Sequence, residues 1–101
     1  MINALFPGGF RWSVQKDRWL RANRGISFGD ISAEILAGNV LDLQKSPSRS
    51  DQQVFVVRHR GYVWVVPFVI EQDETIFLKT AYPSRKMLRR YGGFHGKTRK
   101  A

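Results

Sequence analysis

The stretch VFVVRHRGYVWVVPFVI, residues 54–70, constrains the fold more than any other part of the chain. It is dense in β-branched and aromatic residues, which fit a pleated surface, and Arg60-Gly61 interrupts it as a two-residue hairpin turn would. With that pair as the turn, His59 lies opposite Tyr62, Val57 opposite Trp64 and Phe55 opposite Val66. VLDLQK, residues 40–45, adds a strand before the polar loop SPSRSDQQ, and TIFLKTAY, residues 75–82, adds one after the QDE turn. The four segments predict an antiparallel sheet. Pro67 cannot donate to a ladder, so a bulge or an unpaired N–H position is expected there.

Side chains alternate between the faces of a strand, so register sorts them. Pairing Ile70 with Thr75 places Phe68 beside Phe77 and Val66 beside Lys79. One face then mixes aromatic residues with His59 and Lys79. The other is aliphatic, with Val54, Val56, Val63, Val65, Ile76 and Leu78, and with Arg58 near the turn. The aliphatic face is expected to pack under the N-terminal helices, and the aromatic face to stay partly open.

Two helices precede the strands. The first is predicted from Val14 to Asn23, with Ser13 as N-cap and Gly25 as the stop. In the second, Ser27 and Asp30 resemble a capping box, Phe28, Ile31, Ile35 and Leu36 recur at helical spacing, and Gly38-Asn39 closes it. PSRKMLRRY predicts a short last helix, with Pro83 in its first turn. At about 100° per residue, Ser84, Met87, Leu88 and Tyr91 share one face, flanked by Arg85 with Arg89 and by Lys86 with Arg90.

A chain of 101 residues with 43% hydrophobic residues suits one compact domain, expected over residues 1–92, followed by a flexible basic tail over 93–101. There is no Cys, and two His cannot build a structural zinc site without carboxylate help. The first ten residues lack a basic segment before a long apolar run, and no stretch approaches a membrane span, so a soluble cytoplasmic protein without a membrane partner is expected. Lys and Arg number 17 against 8 Asp and Glu, a formal charge of +9, which points to a polyanionic partner. The chain has no phosphate-cradling glycine loop, nucleophile elbow or zinc-finger spacing. Carboxylates are sparse where the cations concentrate, which speaks against a paired-carboxylate or two-metal site.

Several residues admit two roles. The cations of the last helix are either a solvated face or a grip for phosphates. His59 is either a turn-flanking histidine or a proton carrier. Tyr91 either completes the apolar stripe or sets its hydroxyl beside a reacting phosphate. Trp64 and Tyr82 either pack or stack on a base.

The segments FRWSVQKDRWLRANRGISFGDI, VFVVRHRGYVWVVPFV and IFLKTAYPSRKMLRRYGG, in this order, resemble the BrnT family of type II toxins over about residues 10–92. The resemblance implies an α+β, RelE-like fold: two N-terminal helices packed on a four-stranded antiparallel sheet, then a short C-terminal helix. It also implies a metal-independent endoribonuclease that slows translation, uses no cofactor, and is neutralised by a ribbon-helix-helix antitoxin, with operator DNA bound only through the toxin–antitoxin complex. Lys79, Arg85, Arg89 and Tyr91 match the family's basic site best. Arg58 or His59 supplies the basic position of the middle strands, and Lys16 matches the lysine of the N-terminal motif. The chain departs from the commoner Ser-Ala-Arg ending, where it reads TAYPSR.

On this reading Lys79 and Arg85 bind the scissile phosphate, and Arg89 and Lys86 hold flanking phosphates together with Arg90. Tyr91 or His59 assists proton transfer, while Trp64 and Tyr82 are placed to stack on bases. The alternative is a non-catalytic RNA-binding or ribosome-associated protein using the same basic surface. A third possibility is that this surface docks an acidic protein.

Overall fold

The computed structural model describes residues 9–46 and 48–92. The tail expected over 93–101 lies outside the described residues. In chain order the elements are β1 (Phe10–Trp12), α1 (Val14–Arg24), α2 (Phe28–Leu36), β2 (Val40–Lys45), β3 (Gln53–His59), β4 (Tyr62–Ile70), β5 (Ile76–Leu78), β6 (Tyr82–Pro83) and α3 (Arg85–Met87), which runs on as a π-helical turn, Leu88–Gly92. No helix among the described residues is long and apolar enough to cross a membrane.

The helix ends follow the local chemistry. Ser13 accepts from the Lys16 amide at the start of α1, and Gly25 ends that helix in the left-handed region at φ 67°. Ser27 and Asp30 form the full capping box of α2, each side chain accepting from the other's backbone N–H. The free N–H of Phe28 is satisfied from outside: it donates to Asp17 Oδ1 of α1 at 2.8 Å, while Arg21 pairs with Asp17 Oδ2 at 3.0 Å. Asp17 is only 8% exposed, so it ties the two helices together. Replacing Asp17 by Ala is expected to cost about 1–3 kcal/mol, because the Phe28 donor is left buried and unmatched. A urea titration that gave the same midpoint for variant and wild type would exclude this role.

The sheet runs β1-β5-β4-β3-β2, with β6 also paired to β4. The hairpin between β3 and β4 has the expected register, His59 opposite Tyr62 and Phe55 opposite Val66. Arg60 and Gly61 both have positive φ, 52° and 77°, as a type I′ turn requires. Beyond the expected antiparallel set, β1 pairs in parallel with β5, Phe10 opposite Ile76, and Ile76 donates its N–H to the Gly9 carbonyl at 2.9 Å. Three residues carry too little alternation to announce such a strand.

Two expectations about the sheet are corrected. Ile70 pairs with Ile76 and Phe68 with Leu78, one residue away from the Ile70–Thr75 pairing. The loop consumes the extra residue: Glu71 donates to the Thr75 carbonyl, Glu74 donates back to Glu71, and Glu74 takes φ 66°. That single step turns Ile76 and Leu78 to the other face. The helices pack on the face opposite to the one expected. Leu20, Ile26, Phe28, Ile31 and Ile35 form one buried cluster with Phe55, Val57, Val66, Phe68, Ile76 and Leu78. Phe28 stacks on Trp12 at 5.7 Å and Phe55 on Phe68 at 4.2 Å. We call this the inner face. The outer face carries Val54, Val56, Val63 and Val65, all buried, and Met87, Leu88 and Tyr91 of the last helix are half-buried.

Candidate functional site

Two irregularities shape the outer face. In β2 the register shifts between Val40 and Asp42, so that Val40 meets Val57 on the inner face whereas Asp42 and Gln44 meet Val56 and Val54 on the outer one. The second irregularity centres on Pro67. Lys79 donates its N–H to the Pro67 carbonyl at 2.8 Å, but proline returns no N–H, so the last strand leaves the ladder at Lys79. It rejoins as β6 with Tyr82 opposite Val65 and Pro83 opposite Trp64, one residue out of step with β5. The irregularity expected at Pro67 is thus a bulge in the partner strand, over Thr80 and Ala81. Through it Lys79 and Tyr82, three positions apart, both fall on the outer face, where strict alternation would have separated them.

The last helix starts immediately afterwards. Pro83 belongs to β6 rather than to the first helical turn; Ser84 is the N-cap, accepting from Met87 N–H at 3.1 Å, and its own N–H donates to the Val63 carbonyl at 3.0 Å. That bond fixes the helix against β4. The stripe and flanks follow the expected pattern: Met87, Leu88 and Tyr91 turn inward, and Arg85, Lys86, Arg89 and Arg90 are exposed. Tyr91 donates its hydroxyl proton to Asp42 Oδ2, while Gln44 donates to both, at 2.9 Å to Asp42 and 3.3 Å to Tyr91. Arg58, also on the outer face, reaches the Tyr91 carbonyl at 3.4 Å.

Asp42 and Tyr91 act as a latch with two pH limits. The Tyr91 hydrogen bond, helped by Gln44, holds Asp42 below the usual carboxylate range, and the Asp42 hydrogen bond raises the Tyr91 phenol above its usual range. A lowered carboxylate contributes stability above its unfolded pKa and loses it as pH falls through the lowered folded value; a raised phenol contributes below its unfolded pKa and loses it as pH rises through the raised folded value. The wild-type last helix is expected to loosen at both extremes and to stay docked between them. Tyr91→Phe is expected to flatten that profile, as followed by hydrogen exchange of the residue 88–91 amides. Identical profiles for the two proteins would contradict the latch.

The remaining candidates sit elsewhere. His59 is on the inner side and 9% exposed, with Nδ1 at 2.6 Å from Glu34 Oε2 of α2; its Nε2 is buried and has no hydrogen-bond partner among the described residues. The His59 hydrogen bond, followed by one from Asn39, keeps the Glu34 carboxyl below its usual range. Trp64 is half-buried against the inner core. Lys16 lies on α1 with its ammonium 4.5 Å from the Trp19 ring centroid. The structure therefore gathers Lys79, Tyr82, Arg58, Tyr91 and the four helix cations on the outer side of the sheet, and leaves His59, Trp64 and Lys16 on the other. Among the described residues no three His, Cys, Asp or Glu side chains converge as a metal site.

Asp42, Gln44 and Glu34 were not singled out by the sequence. The alternation Leu41-Asp42-Leu43-Gln44 marks a polar edge to β2, but only the bulge decides that it meets Tyr91.

A search of solved structures finds a similar fold in the Brucella abortus ribonuclease toxin BrnT. The match covers 75% of this chain and 95% of that one, with a TM-score of 0.58 and 17% sequence identity. The likeness is to the same family that the three sequence segments resemble, and at that identity it shows the fold. No family model and no curated protein matches the chain.

Proposed function

We propose that this chain is the toxin of a type II toxin–antitoxin pair, a metal-independent endoribonuclease that inhibits translation in the cytoplasm. The observation that carries the reading is the bulge after Pro67, which puts Lys79 and Tyr82 on one sheet face directly before a helix with four exposed cations. A fold shared with a ribonuclease toxin supports it.

The chemistry is intramolecular to the RNA. The 2′-OH attacks the adjacent phosphorus, the P–O5′ bond breaks, and a cyclic phosphate and a 5′-OH end result; the 2′ proton passes to a base and the 5′ oxygen gains a proton. What the protein supplies is alignment and stabilisation of the extra negative charge. Lys79 and Arg85 bind the scissile phosphate, Arg85 through its planar fork and Lys79 as a compact charge. Arg89, Lys86 and Arg90 hold flanking phosphates, Arg58 adds positive potential, and Tyr82, 41% exposed, is free to stack on a base. The Asp42 hydrogen bond supports a docking role for Tyr91, and the Glu34 contact supports a bracing role for His59 between α2 and the hairpin end. The partner is an acidic ribbon-helix-helix antitoxin that masks the cationic helix; operator DNA is reached only through that complex.

One observation favours a second reading, a non-catalytic RNA-binding protein: the two proton-transfer candidates, Tyr91 and His59, both have carboxylate partners. Expression of the wild type from a tight promoter, beside the Lys79→Ala, Arg85→Ala double variant, separates the readings. Growth arrest with new 5′-OH ends from the wild type alone is the result expected of a nuclease. RNA retention without new ends would leave the binding protein.

A further inference from the structure

The bulge that makes the outer face is held from the other side of the sheet. Arg24, in the last turn of α1, donates from Nη1 to the Ala81 carbonyl at 2.6 Å, across 57 positions of sequence. Its guanidinium also lies 4.7 Å from the Trp19 ring centroid, which limits its freedom. The base of α1 is anchored in turn, since Leu20 is fully buried in the inner cluster and Gly25 stops the helix just beyond Arg24.

The Arg24 bond adds a tether at the bulge itself. Between β5 and β6 the ladder offers Lys79 N–H to the Pro67 carbonyl, and Pro67 has no N–H to give back. The β6 pairing and the Ser84 bond to Val63 hold the far end, so the Thr80–Ala81 segment between them has its carbonyl as the point where relaxation toward regular alternation would begin. That relaxation would turn either Lys79 or Tyr82 away from the outer face. A charge-assisted hydrogen bond to the Ala81 carbonyl opposes it.

We propose that Arg24 is a positioning residue: by holding the Ala81 carbonyl it fixes the bulge that presents Lys79 and Tyr82 together to RNA. The inference rests on the ribonuclease reading of that face. Arg24 belongs to the opposite layer and acts through the backbone, so its loss should appear mainly in the chemical step, through the misplacement of Lys79, with any effect on binding limited to the base stacked on Tyr82.

The test compares the full chain as wild type, Arg24→Ala and Arg24→Lys, in single-turnover and steady-state cleavage of an RNA, with ¹⁵N-labelled protein examined in parallel. Arg24→Ala is expected to lower kcat by about 10²-fold with KM little changed, the scale of a misplacement near 1 Å. Arg24→Lys should recover part of the loss, since one ammonium N–H can still reach the carbonyl. The amide signals of Lys79, Thr80 and Tyr82 should shift in Arg24→Ala. If the alanine variant does not fold, Arg24→Gln, whose amide ends short of the Ala81 carbonyl, replaces it in the comparison with Arg24→Lys. A raised KM at unchanged kcat would make Arg24 an RNA contact and overturn the proposal, as would unchanged kcat with unshifted bulge amides. A wild type that does not cleave RNA would overturn the ribonuclease reading instead, and the amide signals would then decide alone whether Arg24 sets the bulge.

Discussion

Replacing Lys79 by Ala is expected to lower the RNA-cleavage rate by about 10²–10³-fold, the scale seen when one preorganised donor to a developing oxyanion is removed. Adding Arg85→Ala should deepen the loss to the limit of detection, with no new 5′-OH ends in cells. Both side chains are exposed, and Lys79 contributes to the fold through its backbone N–H, which the substitution keeps. Stability should therefore change by less than about 0.5 kcal/mol. This separation makes the measurement informative: a folded double variant that cleaves RNA at the wild-type rate would remove the outer face from the chemistry altogether.

The largest effect on stability is expected from Phe28→Ala, at about 3–5 kcal/mol. Phe28 is fully buried, stacks on Trp12 of β1, and opens α2, whose first N–H is bound by Asp17 of α1. Truncation leaves a void where both helices and the parallel edge strand meet. For a domain of this size, each kcal/mol moves Tm by about 4–8 °C, so the melting midpoint should fall by at least 12 °C or so. A loss below about 1 kcal/mol would mean that the inner core does not depend on this junction.

Much of this architecture was legible because local chemistry had little competition. The capping box of Ser27 and Asp30, the left-handed stop at Gly25 and the Arg60-Gly61 turn each depend on a few neighbouring residues, and each holds. The cation flanks of the last helix were readable from α-helical spacing, and their exposure holds although Leu88–Gly92 winds as a π-helical turn rather than the α-helix expected. The parallel edge strand β1 was not readable, since its partner lies more than sixty positions away and its three residues show no pattern of their own. Nor was the helix-bearing face. Both faces of the sheet are apolar enough to be buried, and one residue in the loop between β4 and β5 moved Ile76 and Leu78 from one to the other.

The candidate site divides along the same line. Sequence by itself determined that the chain would be basic, that its cations would gather at the end of the last strand and on the helix after it, and that Pro67 would disturb the ladder. Only the tertiary structure decided which candidates share a surface. A bulge is a one-residue difference between two paired strands, so no single strand encodes it. Its consequence is nevertheless direct: it sets Tyr82 on the outer face beside Lys79, and its counterpart in β2 sends Asp42 to Tyr91, while the one-residue step between β4 and β5 puts Lys79 on the face opposite His59 and Trp64.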